Sequence, residues 1–148
     1  YESADWSTGS GSSIDLETIN YKPQTGKRIS FIVGETTYMN GDDVITLDTP
    51  PYIKSGRTYL PVRALGESLG AAVSWDDETR TVTLKRGPDL VEMVIGDHNI
   101  RINGSYTTME VAPEIVGGRT MLPVRYVADA FGALISWDEK SQEVVIFR

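Results

Sequence analysis

A stretch of 34 residues occurs twice in this chain. Residues 51–84 overlay residues 113–146 without a gap at an offset of 62, with 15 identities in 34 positions. Gly56-Arg57-Thr58 returns as Gly118-Arg119-Thr120, Leu60-Pro61-Val62-Arg63 as Leu122-Pro123-Val124-Arg125, Gly70-Ala71 as Gly132-Ala133, and Ser74-Trp75-Asp76 as Ser136-Trp137-Asp138. Upstream the match is looser: Ile32-Val33-Gly34 with Val94-Ile95-Gly96, and Asn40-Gly41 with Asn103-Gly104 after a slip of one residue. A duplicated unit of this size restricts the fold to a small supersecondary element used twice. The division it suggests is an arm over 1–27, unit one over 28–88 and unit two over 89–148, with Gly87-Pro88 as punctuation, or one compact domain over 28–148.

Both units read alike. An opening strand ends near Gly34 or Gly96, and a second runs to the Asn-Gly dipeptide, a turn signal because both residues tolerate positive φ. A third covers residues 44–47 or 106–111, and a helix follows. Pro61 and Pro123 suit a first helical turn, where no N–H is needed. Val62, Leu65 and Leu69 fall at i, i+3 and i+7, as do Val124, Val127 and Phe131, and Gly70 and Gly132 supply the stop. A hairpin closes each unit, with Val73 and Trp75 on one face opposite Val82 and Leu84. The expected fold is therefore α+β: two tandem repeats, each a mainly antiparallel sheet wrapped around one short helix, plus an extended N-terminal arm.

Residue counts exclude much chemistry. The 148 residues contain no Cys and one His, His98, so disulfides, thiolate metal sites and Cys nucleophiles are out, and no metal site of the usual kind is expected. No Gly-rich phosphate loop, nucleophile elbow or His-containing triad occurs. Asp42-Asp43 and Asp76-Asp77-Glu78 lack calcium-loop spacing and sit at turns, where Asp is favoured locally. With 14 Lys+Arg against 21 Asp+Glu the net charge is −7, which disfavours nucleic acid as a partner. No apolar run is long enough to span a membrane. Asn103-Gly104-Ser105 fits a glycosylation acceptor pattern and is equally a turn.

The arm differs from the rest. It begins at Tyr1 rather than Met, so a processed or excised protein is expected, and it is rich in Ser and Gly. Within it Ile14-Asp15-Leu16-Glu17 alternates, as does Ile19-Asn20-Tyr21, which reads as a short strand. Ile14, Leu16, Ile19 and Tyr21 are the side chains expected to seat in a partner, with Trp6 as a further docking aromatic. The final strand carries Val145 and Phe147 on the face opposite Val144 and Ile146, so a second apolar face needs a cover, making Val145 and Phe147 the expected acceptor. Arg57, Arg63, Arg119 and Arg125 are read as structural staples, because both units have them, with an anionic glycan clamp as the alternative. Trp75 and Trp137 are expected in the core beside Val73 and Ile135, with sugar stacking as the alternative.

The segments from Gly56 to Arg63 and from Gly118 to Arg125, each followed by Leu-Gly-Ala or Phe-Gly-Ala and then Trp-Asp, resemble the copper amine oxidase N-terminal domain family over residues 28–148. The resemblance implies a stalk-type module, common in secreted and envelope proteins of Gram-positive bacteria, built as a small antiparallel sheet around a helix. It implies no enzymatic activity and no cofactor, since the oxidase chemistry belongs to a separate domain whose copper is held by several His. The expected function is a non-catalytic extracellular structural subunit, secreted or at the cell surface. It would self-associate by donating its N-terminal strand to a neighbouring copy, so that a filament results. The alternative is an accessory stalk, or a cell-wall or glycan-binding module of a larger secreted protein, with cell-wall polysaccharide as its partner.

Overall fold

Alternating apolar residues and left-handed turn positions build strands along nearly the whole of residues 28–147, which are the residues that the computed structural model describes. The first three strands are β1 (Arg28–Ile32), β2 (Thr37–Asn40) and β3 (Asp43–Thr46). A hairpin follows, β4 (Tyr52–Lys54) and β5 (Arg57–Pro61), which runs into helix α1 (Val62–Leu69). Then come β6 (Ala72–Asp76) and β7 (Thr81–Arg86). The second half repeats the series as β8 (Asp89–Val94), β9 (Asn99–Ile102), β10 (Ser105–Thr108), β11 (Glu114–Val116), β12 (Arg119–Pro123), α2 (Val124–Ala130), β13 (Leu134–Asp138) and β14 (Glu143–Phe147). Mostly antiparallel sheets with two short helices make this an α+β fold.

The strands of the two halves interleave. One five-stranded sheet has the order β13-β14-β1-β2-β3, and the other β10-β9-β8-β7-β6. The first thus joins three strands from the front half to two from the back, and the second does the reverse. A four-stranded sheet, β11-β12-β5-β4, takes two strands from each half. Separate sheets for separate repeats were expected, and this is the main correction. Gly87-Pro88 is not a boundary between bodies. It is the two-residue turn of the β7–β8 hairpin, in which Arg86 pairs with Asp89 and Gly87 has φ 57°.

The halves are related by a local two-fold axis. In the β5–β12 pair Leu60 faces its own repeat equivalent Leu122, while Tyr59 faces Pro123 and Pro61 faces Met121, so the pairing is unchanged when the two halves are exchanged. Backbone hydrogen bonds double in the same way. Gly34 N–H donates to Pro51 O and Gly96 N–H to Pro113 O, both at 2.9 Å. Leu47 N–H donates to Thr36 O and Met109 N–H to His98 O. The slip at Asn-Gly vanishes too: Asn40 pairs with Asp43 and Ile102 with Ser105, so the turns are Gly41-Asp42 and Asn103-Gly104 at an offset of 62.

Each helix starts where a proline ends a strand. Pro61 has φ −60° and ψ 137°, and Pro123 has φ −69° and ψ 115°; both are extended caps, one residue ahead of the first turn expected for them. Gly70 stops α1 in the left-handed conformation at φ 72°, and the Ala71 N–H returns to Gly66 O. At the end of α2, Ala133 N–H returns to Ala128 O in the same way. The helices turn Leu65, Leu69, Val127 and Phe131 into one cluster with Ile29, Phe31, Leu60, Leu84, Leu122 and Ile146, drawn from both halves. Each such fully buried side chain contributes about 1.5–3 kcal/mol relative to exposure. The arm lies outside the described residues, and so do Trp6, Ile14, Leu16, Ile19 and Tyr21.

Candidate functional site

Acidic groups in the turns serve the turns. Asp76 Oδ1 accepts from the N–H groups of Glu78 and Thr79, and its repeat equivalent Asp138 accepts from Lys140 and Ser141. The four arginines divide into two pairs. Arg57 pairs with Glu110, and Arg119 holds Asp48 through Nε at 2.9 Å and one terminal nitrogen at 2.5 Å. These are repeat equivalents, each joining one half to the other. Both pairs are solvent-exposed, so each is worth little by itself. Arg63 and Arg125 stand exposed on α1 and α2.

A different set meets near the two-fold axis. Glu114 accepts from Tyr52 and, at 2.6 Å, from Lys54. Tyr52 stacks on Tyr59 with ring centroids 5.1 Å apart, and the Tyr59 hydroxyl donates to Ala112 O at 2.8 Å. The Lys54 hydrogen bond first, and the Tyr52 hydroxyl second, hold the Glu114 carboxyl below its ordinary range. Burial first, and the bond to Glu114 second, push the Tyr52 phenol up. The cluster is a polar tie between β4 and β11.

The oxidase copper has no fit here. Among the described residues no three His, Cys, Asp or Glu side chains gather to hold a metal ion. His98, the single imidazole of the chain, lies beside β9 with Nδ1 3.1 Å from Met109 O. No helix among the described residues is long and apolar enough to cross a membrane.

What the molecule does offer is edges and a groove. The free edges of the two large sheets are β3, β13, β6 and β10. None of these strands contains Lys, Arg or Pro, and each exposes a large apolar side chain: Val44 at 65%, Leu134 at 72%, Trp75 at 41% and Tyr106 at 69%. Along β6 runs a groove of about 1160 Å³. Its walls are α1 and β6 on one side, the chain leaving β3 on another, and the β11–β12 hairpin on a third.

Two expectations are corrected here. Trp75 is not in the core: it lines the groove, 41% exposed, and its indole N–H donates to Asp77 at 3.3 Å. Trp137, its equivalent, is partly buried against the core together with Ile135 and Tyr126. The helix residue at the equivalent position also differs between the halves, Ala64 in α1 and Tyr126 in α2. The final strand β14 is also not an acceptor edge, because it is already paired with β13 on one side and β1 on the other. Val145 is 6% exposed within that arrangement and Phe147 41%.

Compared with known proteins, the chain matches the copper amine oxidase N-terminal domain over residues 38–146, a continuous match from β2 into β14 that crosses both halves. The chain belongs to that family. The N-terminal domain of these oxidases is non-catalytic. A protein named protease inhibitor, from Brevibacillus choshinensis, is 28% identical over 93 residues, covering 62% of this chain and 28% of that protein. The chain thus spans about a quarter of the length of this curated relative.

Proposed function

We propose that this chain is an extracellular structural module that associates with further copies of itself, residues 14–21 adding as a strand to an open sheet edge of a neighbour. The observation that carries the reading is the unguarded state of β3, β6, β10 and β13. Proteins that remain solitary blunt such edges with Lys, Pro, other charges or very short strands; these four lack Lys, Arg and Pro and each exposes one large side chain, with a single Asp in β3, β6 and β13 as their only charge. An added strand supplies main-chain hydrogen bonds and seats alternate side chains, which suits Ile14, Leu16, Ile19 and Tyr21. The acceptor is an edge strand, not Val145 and Phe147. An arm and an edge are different surfaces, so the contact is head-to-tail and grows into a filament unless it closes.

Sedimentation velocity and negative-stain microscopy of the full chain, beside residues 28–148 alone, test the reading. Oligomers or filaments from the full chain and folded monomers from the truncated one are expected. A truncated chain that does not fold assigns the arm to its own body. A full chain that stays monomeric removes the polymer.

A second reading has its own support. The relative named protease inhibitor is more than three times the length of the shared stretch, so modules of this type occur inside larger proteins. The name's activity is not carried to the shared stretch. In this reading the chain is an accessory stalk or cell-wall-binding module, with Trp75, Arg63 and Arg119 facing a polysaccharide across the groove. Calorimetry against peptidoglycan fragments and acidic polysaccharides separates the two readings, with no heat at millimolar ligand counting against the second.

A further inference from the structure

The two Asn-Gly dipeptides of the chain do not occupy equivalent places. In the β9–β10 hairpin Asn103 and Gly104 are the two turn residues. In the β2–β3 hairpin the turn is Gly41-Asp42, so Asn40 is the last residue of a strand. One hydrogen bond is common to both halves: Gly41 N–H donates to Arg28 O at 3.0 Å, and at the same repeat position Asn103 N–H donates to Leu90 O at 2.8 Å. In the first half that bond ties down the nitrogen that follows an asparagine. In the second it ties the asparagine itself, and the nitrogen that follows, on Gly104, lies at the exposed tip of the turn.

We propose that Asn103 is a site of spontaneous covalent modification, converting to aspartate and isoaspartate, and that the fold protects Asn40 from the same change. The Gly104 nitrogen bonds to Asn103 Cγ and gives up its proton. The Cγ–Nδ2 bond breaks, and Nδ2 leaves as ammonia with that proton. The cyclic imide then takes up one water. Opening at Cγ gives aspartate, and opening at the main-chain carbonyl carbon gives isoaspartate, whose main chain runs through Cγ. Solvent water is the only co-reactant. Glycine as the following residue carries no Cβ to obstruct the ring closure.

The surroundings separate the two sites. Strand β10 is an edge with all four residues exposed, so the hairpin tip opens without disturbing the core. Strand β2 lies between β1 and β3, and half-buried Asn40 is paired with Ile29 on one side and Asp43 on the other. The Asn103 carboxamide is held only at the surface. Its Oδ1 accepts from Leu90 N–H at 2.8 Å and its Nδ2 donates to Asp89 at 3.2 Å, both exposed contacts that exchange for water at little net cost. The product is felt at once. A carboxylate at position 103 has no proton to donate to Asp89 and repels it, and isoaspartate lengthens the main chain of a two-residue turn. Strand β10, one of the four free edges, is loosened in either case.

Peptide mass spectrometry with enzymatic labelling of isoaspartate, on full-length protein held in mildly alkaline buffer with and without concentrated urea, tests the proposal. Folded wild type should convert at Asn103 at least about tenfold faster than at Asn40, the modest end of the spread between edge and interior openings. In urea the two rates should come together. Asn103→Gly puts in the residue that the first half carries at this position, and should stay folded with no conversion there. Asn103→Asp should show faster hydrogen exchange along β10 than wild type. Folded protein that converts at Asn40 as fast as at Asn103 overturns the proposal. So does folded protein that keeps both asparagines while urea converts both. A rate ratio equally large in urea assigns the difference to flanking sequence and overturns protection by the fold.

Discussion

Leu60 stands directly opposite Leu122 in the β5–β12 pair, and the two are repeat equivalents. Both are 0% exposed. They mark the axis about which the halves interlock, and neither half can keep its core without the other. Leu60→Ala and Leu122→Ala should therefore cost similar amounts, about 2–5 kcal/mol each. Urea denaturation should show one cooperative transition in both variants, since no sheet belongs to one half alone. Two separated transitions would contradict the interleaved core.

Arg86 holds the two helices at their ends. Its guanidinium donates to Leu69 O at 3.0 Å and to Phe131 O at 2.7 Å, which are equivalent carbonyls at the C-termini of α1 and α2. It also lies 5.3 Å from the Phe131 ring centroid. A cation there satisfies carbonyls that the helices leave open and complements both dipoles. Arg86→Met keeps the stem and loses the head, and should lower stability by about 1–3 kcal/mol. Lys should restore only part, having no planar fork to reach two carbonyls. Thermal unfolding of the three proteins checks both statements.

Gly66 is needed for close packing rather than for its backbone freedom. A Cβ there would come 2.3 Å from Val73 Cγ2, so α1 approaches β6 more closely than any side chain permits. Ala128, the equivalent in α2, carries its methyl without difficulty. Gly66→Ala should destabilise by about 1–3 kcal/mol despite the better helix propensity of Ala. Gly66→Ala with Val73→Ala should recover part of the loss in chemical denaturation. A Gly66→Ala single variant more stable than wild type would refute the clash.

Glu114 couples stability to acid. Its folded carboxyl lies below the ordinary range because of Lys54 and Tyr52. A depressed acid stabilises the fold at pH values above its unfolded pKa, and that share is lost as pH falls through the folded value. Glu114→Gln should remove this acid-side slope and cost about 1 kcal/mol at neutral pH. Stability measured from pH 7 down to 3, wild type beside variant, shows it as two curves that converge at low pH.

Local features were legible from the chain alone and their partners were not. The helices at Val62 and Val124, their glycine stops and the β6–β7 and β13–β14 hairpins follow from periodicity and turn chemistry within a few residues. The exchange of strands between halves does not, because equivalent strands carry equivalent patterns. A pairing satisfied within one half is satisfied equally across the two. The hairpins β4–β5 and β11–β12 were hidden for another reason. Ser55-Gly56 and Gly117-Gly118 adopt positive φ and make the turns, and the flanking strands of three and five residues are too short to show a clear alternation. Trp75 and Trp137 share the same Ser-Trp-Asp triplet, so nothing in that triplet separates the exposed Trp75 from the half-buried Trp137.

The pairing of Arg28 with Phe147 has a mechanical consequence. Strand β1 enters beside the point where β14 leaves, so tension between those two ends peels their ladder one rung at a time and meets little resistance. Tension carried from Arg28 to an occupant of the β6 edge must instead cross the shared core and load many rungs together. A module pulled through its neighbours would hold where the same module pulled by its own two ends would unzip.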